Sequence, residues 1–192
     1  SVNGLVSCAI CHQPSRHVSD GMAKGFAIGE AQRNTPSIVG TAYSPWFYWD
    51  GRKDSLWAQA LAPLEHEDEH GGNRMAYIHF ISGDEVYRPM YQELFGDLPD
   101  ISDPVRFPAN AAPGDNPEWN KAWQAMAAAD QESITRAFTN LGKSIAAYEM
   151  LLVPQPSRFD HYVETELIND ASTQESLFSP NEKMGLRLFI GE

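Results

Sequence analysis

Two short stretches carry residue types at spacings that can do chemistry. The first is Cys8-Ala9-Ile10-Cys11-His12. C-x-x-C-H is the attachment motif of c-type haem. Two thiols three positions apart on one helical turn can each form a thioether to a haem vinyl group. The next residue, His12, then lies under the iron as proximal ligand. The rival readings are a redox dithiol and a partial zinc site. A thioredoxin-like dithiol expects a strand before it, and none is patterned here. A zinc site wants a second Cys/His pair, and Cys8 and Cys11 are the only cysteines. A disulfide framework is excluded by the same count. Covalent haem attachment takes place outside the cytoplasm, so the motif implies export to a periplasm.

The second stretch is His66-Glu67-Asp68-Glu69-His70, which matches H-E-x-x-H, the zinc-hydrolase signature. That chemistry needs a helix, so that His66 and His70 face one metal with Glu67 as the base. The flanks oppose a helix, because Pro63 precedes the stretch and Gly71-Gly72 follow it. The longer form of the motif wants a histidine where Ala76 stands. By charge alone, the acids from Glu65 to Glu69 read as a solvated face.

The chain has 192 residues, with 26 acids against 14 bases and a formal charge of −12. That length suffices for one domain with a core. The acidic balance opposes nucleic-acid binding, which wants Lys/Arg surfaces. It favours basic partners, steered in a salt-dependent way. No apolar run approaches the roughly 18 residues of a membrane span; no signal peptide opens the chain, as in a mature exported chain that has lost its signal.

The elements that must position these residues read as helical. Residues 53–62 form a helix with Leu56, Ala60 and Leu61 on one face, capped at Asp54 or Ser55 and ended by Pro63. A second helix spans 84–96, interrupted near Pro89. Residues 97–117 hold Pro99, Pro104, Pro108, Pro113 and Pro117 and form a long irregular connection. Trp119, Trp123 and Met126 recur at helical spacing. The strongest helix is 131–152, with Ile134, Phe138, Leu141, Ile145, Tyr148 and Leu152 on one stripe. Ser179, Pro180 and Glu182 open a last helix as N-cap, first residue and capping-box acid. Residues 1–50 are loops and short helices. No alternating strand pattern persists, so the class is mainly α.

Further stretches follow the haem motif in order: Arg33-Asn34-Thr35-Pro36-Ser37, Trp49-Asp50-Gly51-Arg52, Ser55-Leu56-Trp57-Ala58-Gln59-Ala60, and Ala62-Pro63-Leu64 leading to Glu69. Together they resemble the bacterial dihaem cytochrome c peroxidase family, including its MauG-like branch. The family pattern runs C-x-x-C-H, R-N-x-P-[ST], F-W-D-G-R, S-L-x-x-Q-A, then G-P-[LI]-x-x-x-x-E-[ML]-G. The resemblance implies a cytochrome c-like helical haem domain with long loops, the first half of a two-domain protein with two c-type haems. Residues 1–178 would be the peroxide-reacting domain, and 179–192 the helix leading into a second haem domain. Glu69 falls on the catalytic glutamate and Gln59 on the distal-pocket glutamine. Trp49 falls on the tryptophan between the haems, and Asn34 on a ligand of an interhaem calcium. Arg33 and Arg52 become partners for haem propionates, against their ordinary reading as surface ion pairs. Without the resemblance, Trp49 is a core tryptophan and Asn34 closes a turn.

Two departures from the pattern matter. The chain stops before a second C-x-x-C-H, so it reads as a fragment. Members with a blocked resting haem carry a histidine shortly before R-N-x-P, whereas residues 27–32 hold none. His17 lies too close to the attachment helix to take that place. An open distal position is therefore expected, with His70 beside Glu69 placed to tune its proton affinity.

The implied function is an exported oxidoreductase that reacts with hydrogen peroxide at the haem on Cys8, Cys11 and His12. Glu69 handles the proton and Gln59 positions the oxidant. Electrons come past Trp49 from the second haem. Their source is a small electron-transfer protein, a cytochrome c or a cupredoxin, or the aromatic residues of a protein substrate. One alternative is a non-catalytic single-haem carrier, whose second axial ligand would be a methionine. The other is a zinc hydrolase on His66, Glu67 and His70.

Overall fold

The computed structural model describes residues 1–168 and 176–191. The described residues hold eight α-helices and no sheet. Three isolated bridges, Gln13 to Ser19, Phe26 to Glu30 and Phe47 to Lys53, pinch turns in the loop-rich N-terminal part. The mainly α reading holds. Helix α1 is the single turn Cys8–Cys11. No described helix is long and apolar enough to cross a membrane.

Helix α2, Leu56–Glu65, begins at Ser55 and runs through Pro63 instead of ending there. A proline removes one N–H from the helical ladder, and here only the last turn is affected. The loop that follows satisfies the carbonyls of that turn. Pro63 O accepts from His70 N (3.1 Å) and Leu64 O from Gly72 N (3.0 Å). Helix α3, Arg74–Gly83, is an element that the sequence patterns did not reveal. Its N-cap Asn73 is fully buried. Asn73 Oδ1 accepts from Ala76 N (3.0 Å) and from Ala111 N (3.2 Å), tying the long loop to this helix.

Helix α4, Tyr87–Phe95, is uninterrupted. Pro89 falls in its first turn, where the backbone N–H has no helical partner to lose. Residues 96–116 are irregular, as the prolines indicated. Helices α5, Pro117–Ala125, and α6, Ala128–Glu149, complete the packing. Arg106 grips Asp130 in the first turn of α6 through two bonds of 2.7 and 2.6 Å, which anchors the loop. The core gathers Met75, Ile78, Tyr91, Phe107, Trp123 and Ile134 from α3 to α6 and the loop.

Helix α2 packs on α6, and α3 packs on α6 and α4. The α2–α6 approach depends on Gly142, where a Cβ would lie 2.7 Å from Trp57 O and from Leu61 Cγ. The apolar stripe of α6 holds at Ile134 and Phe138, but its last turn is rotated. Tyr148 is 63% exposed, while Glu149 is 7% exposed. A period of 3.6 residues drifts across the face of a long helix, so the inward position moves by the final turn.

The chain divides into two compact units, Ser1–Val153 and Pro154–Glu192. The expected 178/179 division between a haem domain and a lead-in helix lies inside the second unit. Within the second unit, α7 (Arg158–Leu167) and α8 (Pro180–Ile190) each open on a serine capping box, at Ser157 and Ser179. The Tyr162 ring stacks on Phe178 with centroids 4.4 Å apart. Glu192, the end of the expected lead-in helix, lies outside the described residues.

Candidate active site

One face of α2 carries Gln59, Ala62, Pro63 and then His66, at helical spacing. These residues form one wall of a cavity of about 420 Å³. Ligand pockets span roughly 300–1,000 Å³. Cys11, His12, Arg33, Asn34, Trp49, Arg52 and Glu69 line the same cavity. The sequence-expected site residues thus converge on it, apart from Cys8, which is exposed one turn before His12 and is not in the lining. His17 is exposed and outside the lining too.

His12 is held by a strained loop. Its Nδ1 lies 3.0 Å from Val18 O. That carbonyl is aimed by a backbone with φ 52° at His17 and 57° at Val18. A β-branched residue seldom adopts a positive φ. Val18 N donates to Gln13 O (2.9 Å), and Ser37 Oγ donates to His17 O (2.5 Å), so the strain is held by the surroundings. With Nδ1–H donating to Val18, the Nε2 lone pair is left for a metal, the arrangement that orients ligating histidines. The 33–36 segment is pinned nearby. Thr35 Oγ1 donates to Asp20 Oδ2 (2.8 Å), and Ser19 Oγ donates to Thr35 O (2.8 Å).

Glu69 enters from the loop after α2. Residues 66–70 are turn, not helix, so His66 and His70 do not share a helical face. The described residues hold no group of three or more His, Cys, Asp or Glu arranged to bind a metal ion. The geometry therefore gives the zinc-hydrolase alternative no support. The loop is closed by Gly71 N donating to His66 O (2.8 Å), with Gly71 at φ 60°. Gly72 approaches Tyr77 so closely that a Cβ would lie 2.7 Å from its ring. Glu65 leaves the acidic run altogether, pairing with Arg74 through bonds of 3.1 and 2.9 Å.

Burial pushes the Glu69 carboxyl above the ordinary carboxylate range, and the charges of His66, His12 and Arg52 pull it back. His66 Nδ1 lies 3.9 Å from Glu69 Oε1. The imidazole facing the acid is therefore His66, not the expected His70. Burial lowers the proton affinity of His70.

At the cavity rim, Asp50 accepts from Arg33 (2.7 Å) and Arg52 (2.8 Å), and the Arg33 bond leads in holding its pKa down to about 2. Arg33 caps the Trp49 ring at 4.9 Å and Arg52 the Tyr48 ring at 3.3 Å. Trp49 is 82% exposed, so the core-tryptophan reading fails. Tyr48 is a cavity residue that the sequence reading passed over. The available signal was a phenol where the family pattern has phenylalanine.

The donor set fits a covalently held haem. The Cys8 and Cys11 thiols are free, the His12 Nδ1 is engaged so that Nε2 is available, and a cavity opens beside them. Residues 1–167 match the family described as di-haem cytochrome c peroxidase. The methylamine utilization protein MauG of Methylorubrum extorquens is 38% identical over 98 residues, covering 50% of this chain and 28% of that protein. MauG of Paracoccus denitrificans is 27% identical over 99% of this chain and 45% of its own. Cytochrome c551 peroxidase of Pseudomonas aeruginosa is 22% identical over 97% of this chain and 42% of its own. The chain spans less than half the length of each of these relatives. The family binds haem c and its members are periplasmic. By the match over residues 1–167, this chain belongs to the di-haem cytochrome c peroxidase family.

Proposed function

We propose that this chain is the peroxide-reacting part of a periplasmic c-type haem peroxidase. The observation that carries the reading is the meeting of His12, Gln59 and Glu69 on the walls of one cavity. Cys8, Cys11 and His12 would hold the haem, which would supply the iron site and the electrons for peroxide reduction. Glu69, half-buried on the cavity that His12 also lines, takes a proton from one peroxide oxygen and returns it to the other, which leaves as water. Gln59 orients the oxidant. Trp49, exposed at the rim beneath Arg33, carries electrons inward from a second haem. Those electrons would come from a small electron-transfer protein or from aromatic residues of a protein substrate. Arg33 and Arg52 keep donors beyond those given to Asp50, and these hold the haem propionates. A calcium ion at Asn34, exposed on the same wall, belongs to the same proposal.

A carrier would need a second strong axial ligand. No methionine lines the cavity among the described residues, which favours the enzyme. Glu69→Gln with haem retained is expected to lower the peroxide rate about 10²- to 10⁴-fold, the usual worth of a positioned acid–base group. An unchanged rate would sink the assignment. A purely low-spin ferric haem inert to peroxide would favour the carrier instead.

A further inference from the structure

We propose that Ser37 is a positioning residue for the proximal histidine, its hydroxyl fixing the peptide plane that aims the Val18 carbonyl at His12. The inference rests on the reading of His12 as the haem ligand. Val18 O lies 3.0 Å from His12 Nδ1. A carbonyl only accepts, so this nitrogen carries the proton. The strength of that bond sets how strongly Nε2 donates to a metal.

The peptide joining His17 and Val18 is gripped at both ends. Its oxygen accepts from Ser37 Oγ at 2.5 Å, and its N–H donates to Gln13 O at 2.9 Å. Ser37 Oγ accepts from Val39 N at 3.1 Å, which leaves its single proton for the His17 carbonyl. The Ser37 segment is tied down two residues away, where Ser19 Oγ donates to Thr35 O at 2.8 Å. With the plane fixed, φ at Val18 decides where the next carbonyl points. It stands at 57°, after 52° at His17. Neither residue takes a positive φ without being held, Val18 least of all because it branches at Cβ. Released, the pair would relax toward negative φ and swing the Val18 carbonyl off His12. The grip on the oxygen side is one exposed hydroxyl. Water can satisfy the His17 carbonyl in its absence, so its loss costs direction and not a buried bond. Arg33, Asn34, Thr35 and Pro36 line the cavity and Ser37 does not, so this hydroxyl serves the loop.

The test uses the haem-loaded protein, full length, with Ser37→Ala, Ser37→Thr and Ser37→Val. The iron–histidine stretch of the ferrous protein and the midpoint potential of its haem are read, with haem content and thermal midpoint. Ser37→Ala is expected to keep its haem and to lower the stretching frequency, because a weaker bond at Nδ1 makes Nε2 a poorer donor. A poorer donor stabilises ferric iron less. The ferrous-to-ferric ratio at a fixed potential is expected to rise about fivefold, the worth of one ordinary hydrogen bond, or roughly 40 mV for one electron. Ser37→Thr is expected to restore both readings, and Ser37→Val, of the same shape without the hydroxyl, to leave them shifted. Readings unmoved in Ser37→Ala overturn the proposal, and so do equal readings in the Thr and Val variants. Lost haem or a lowered thermal midpoint in Ala and Val alike assigns Ser37 a structural role and overturns it as well. Absence of any iron–histidine band in the unaltered protein overturns the reading of His12 and the proposal with it, whereas a normal band that ignores Ser37 overturns the proposal alone. The peroxide role of Glu69 is decided separately, by Glu69→Gln.

Discussion

Glu69 and His66 show how one loop residue tunes another. Burial raises the carboxyl's proton affinity, and the imidazole 3.9 Å away is the largest opposing influence. A base must be deprotonated to act, so the peroxide rate is expected to fall as pH drops through the raised Glu69 value. His66→Gln removes the largest influence that lowers this value. The acid limb of the kcat/KM profile for peroxide is therefore expected to move to higher pH. A limb that stays in place, or moves down, detaches His66 from the acid. In the sequence the two histidines of the motif look equivalent. The fold separates them, because the turn after α2 points His66 at Glu69 and folds His70 back onto Pro63.

Elements position this chemistry through close contacts rather than through propensity. Helix α2 presents Gln59 to the cavity while its other side lies against Gly142 of α6. Gly142→Ala replaces a poor helix former with the best one, a gain of about 1 kcal/mol on propensity alone. The added Cβ would meet the Trp57 carbonyl oxygen at 2.7 Å, and a backbone atom inside a helix cannot step aside cheaply. Overpacking of this kind costs about 1–3 kcal/mol. A net loss of stability in urea denaturation is expected, and a stabilised variant would show that the helices part freely. Helix α3 was not legible because no acid at its third position announced the cap. Its buried Asn73 works through long-range partners near residue 110.

For the molecule as a whole, Glu149 links stability to pH. Its side chain is buried, with Oε2 making no hydrogen bond, and burial pushes its pKa from 4.5 up to about 7. The folded state therefore holds a proton that the unfolded chain has released between pH 4.5 and about 7. In that window the folded state binds more protons, so stability falls as pH rises, and the loss persists above it. Glu149→Gln carries no ionisable group and is expected to flatten the descent of the thermal midpoint between pH 5 and 8. The variant should be the more stable protein at pH 8. An unaltered slope would place the titration elsewhere.

The sequence by itself determined the C-x-x-C-H motif that the family shares, the helical class and the last helix cap. Each is a local property: C-x-x-C-H lies on one helical turn, and Ser179 and Glu182 answer each other across three residues. Only the tertiary structure decided which distant letters share a cavity and which way each points. Glu149 was chosen over Tyr148 for burial by the drift of α6 against its neighbours. Val18 took a strained φ because His12, Gln13 and Ser37 together hold its loop. Tyr48 became a cavity residue because the loop between Phe47 and Lys53 holds its ring under Arg52 at the cavity. Such choices depend on residues far apart in the chain, and a periodic pattern carries no record of them.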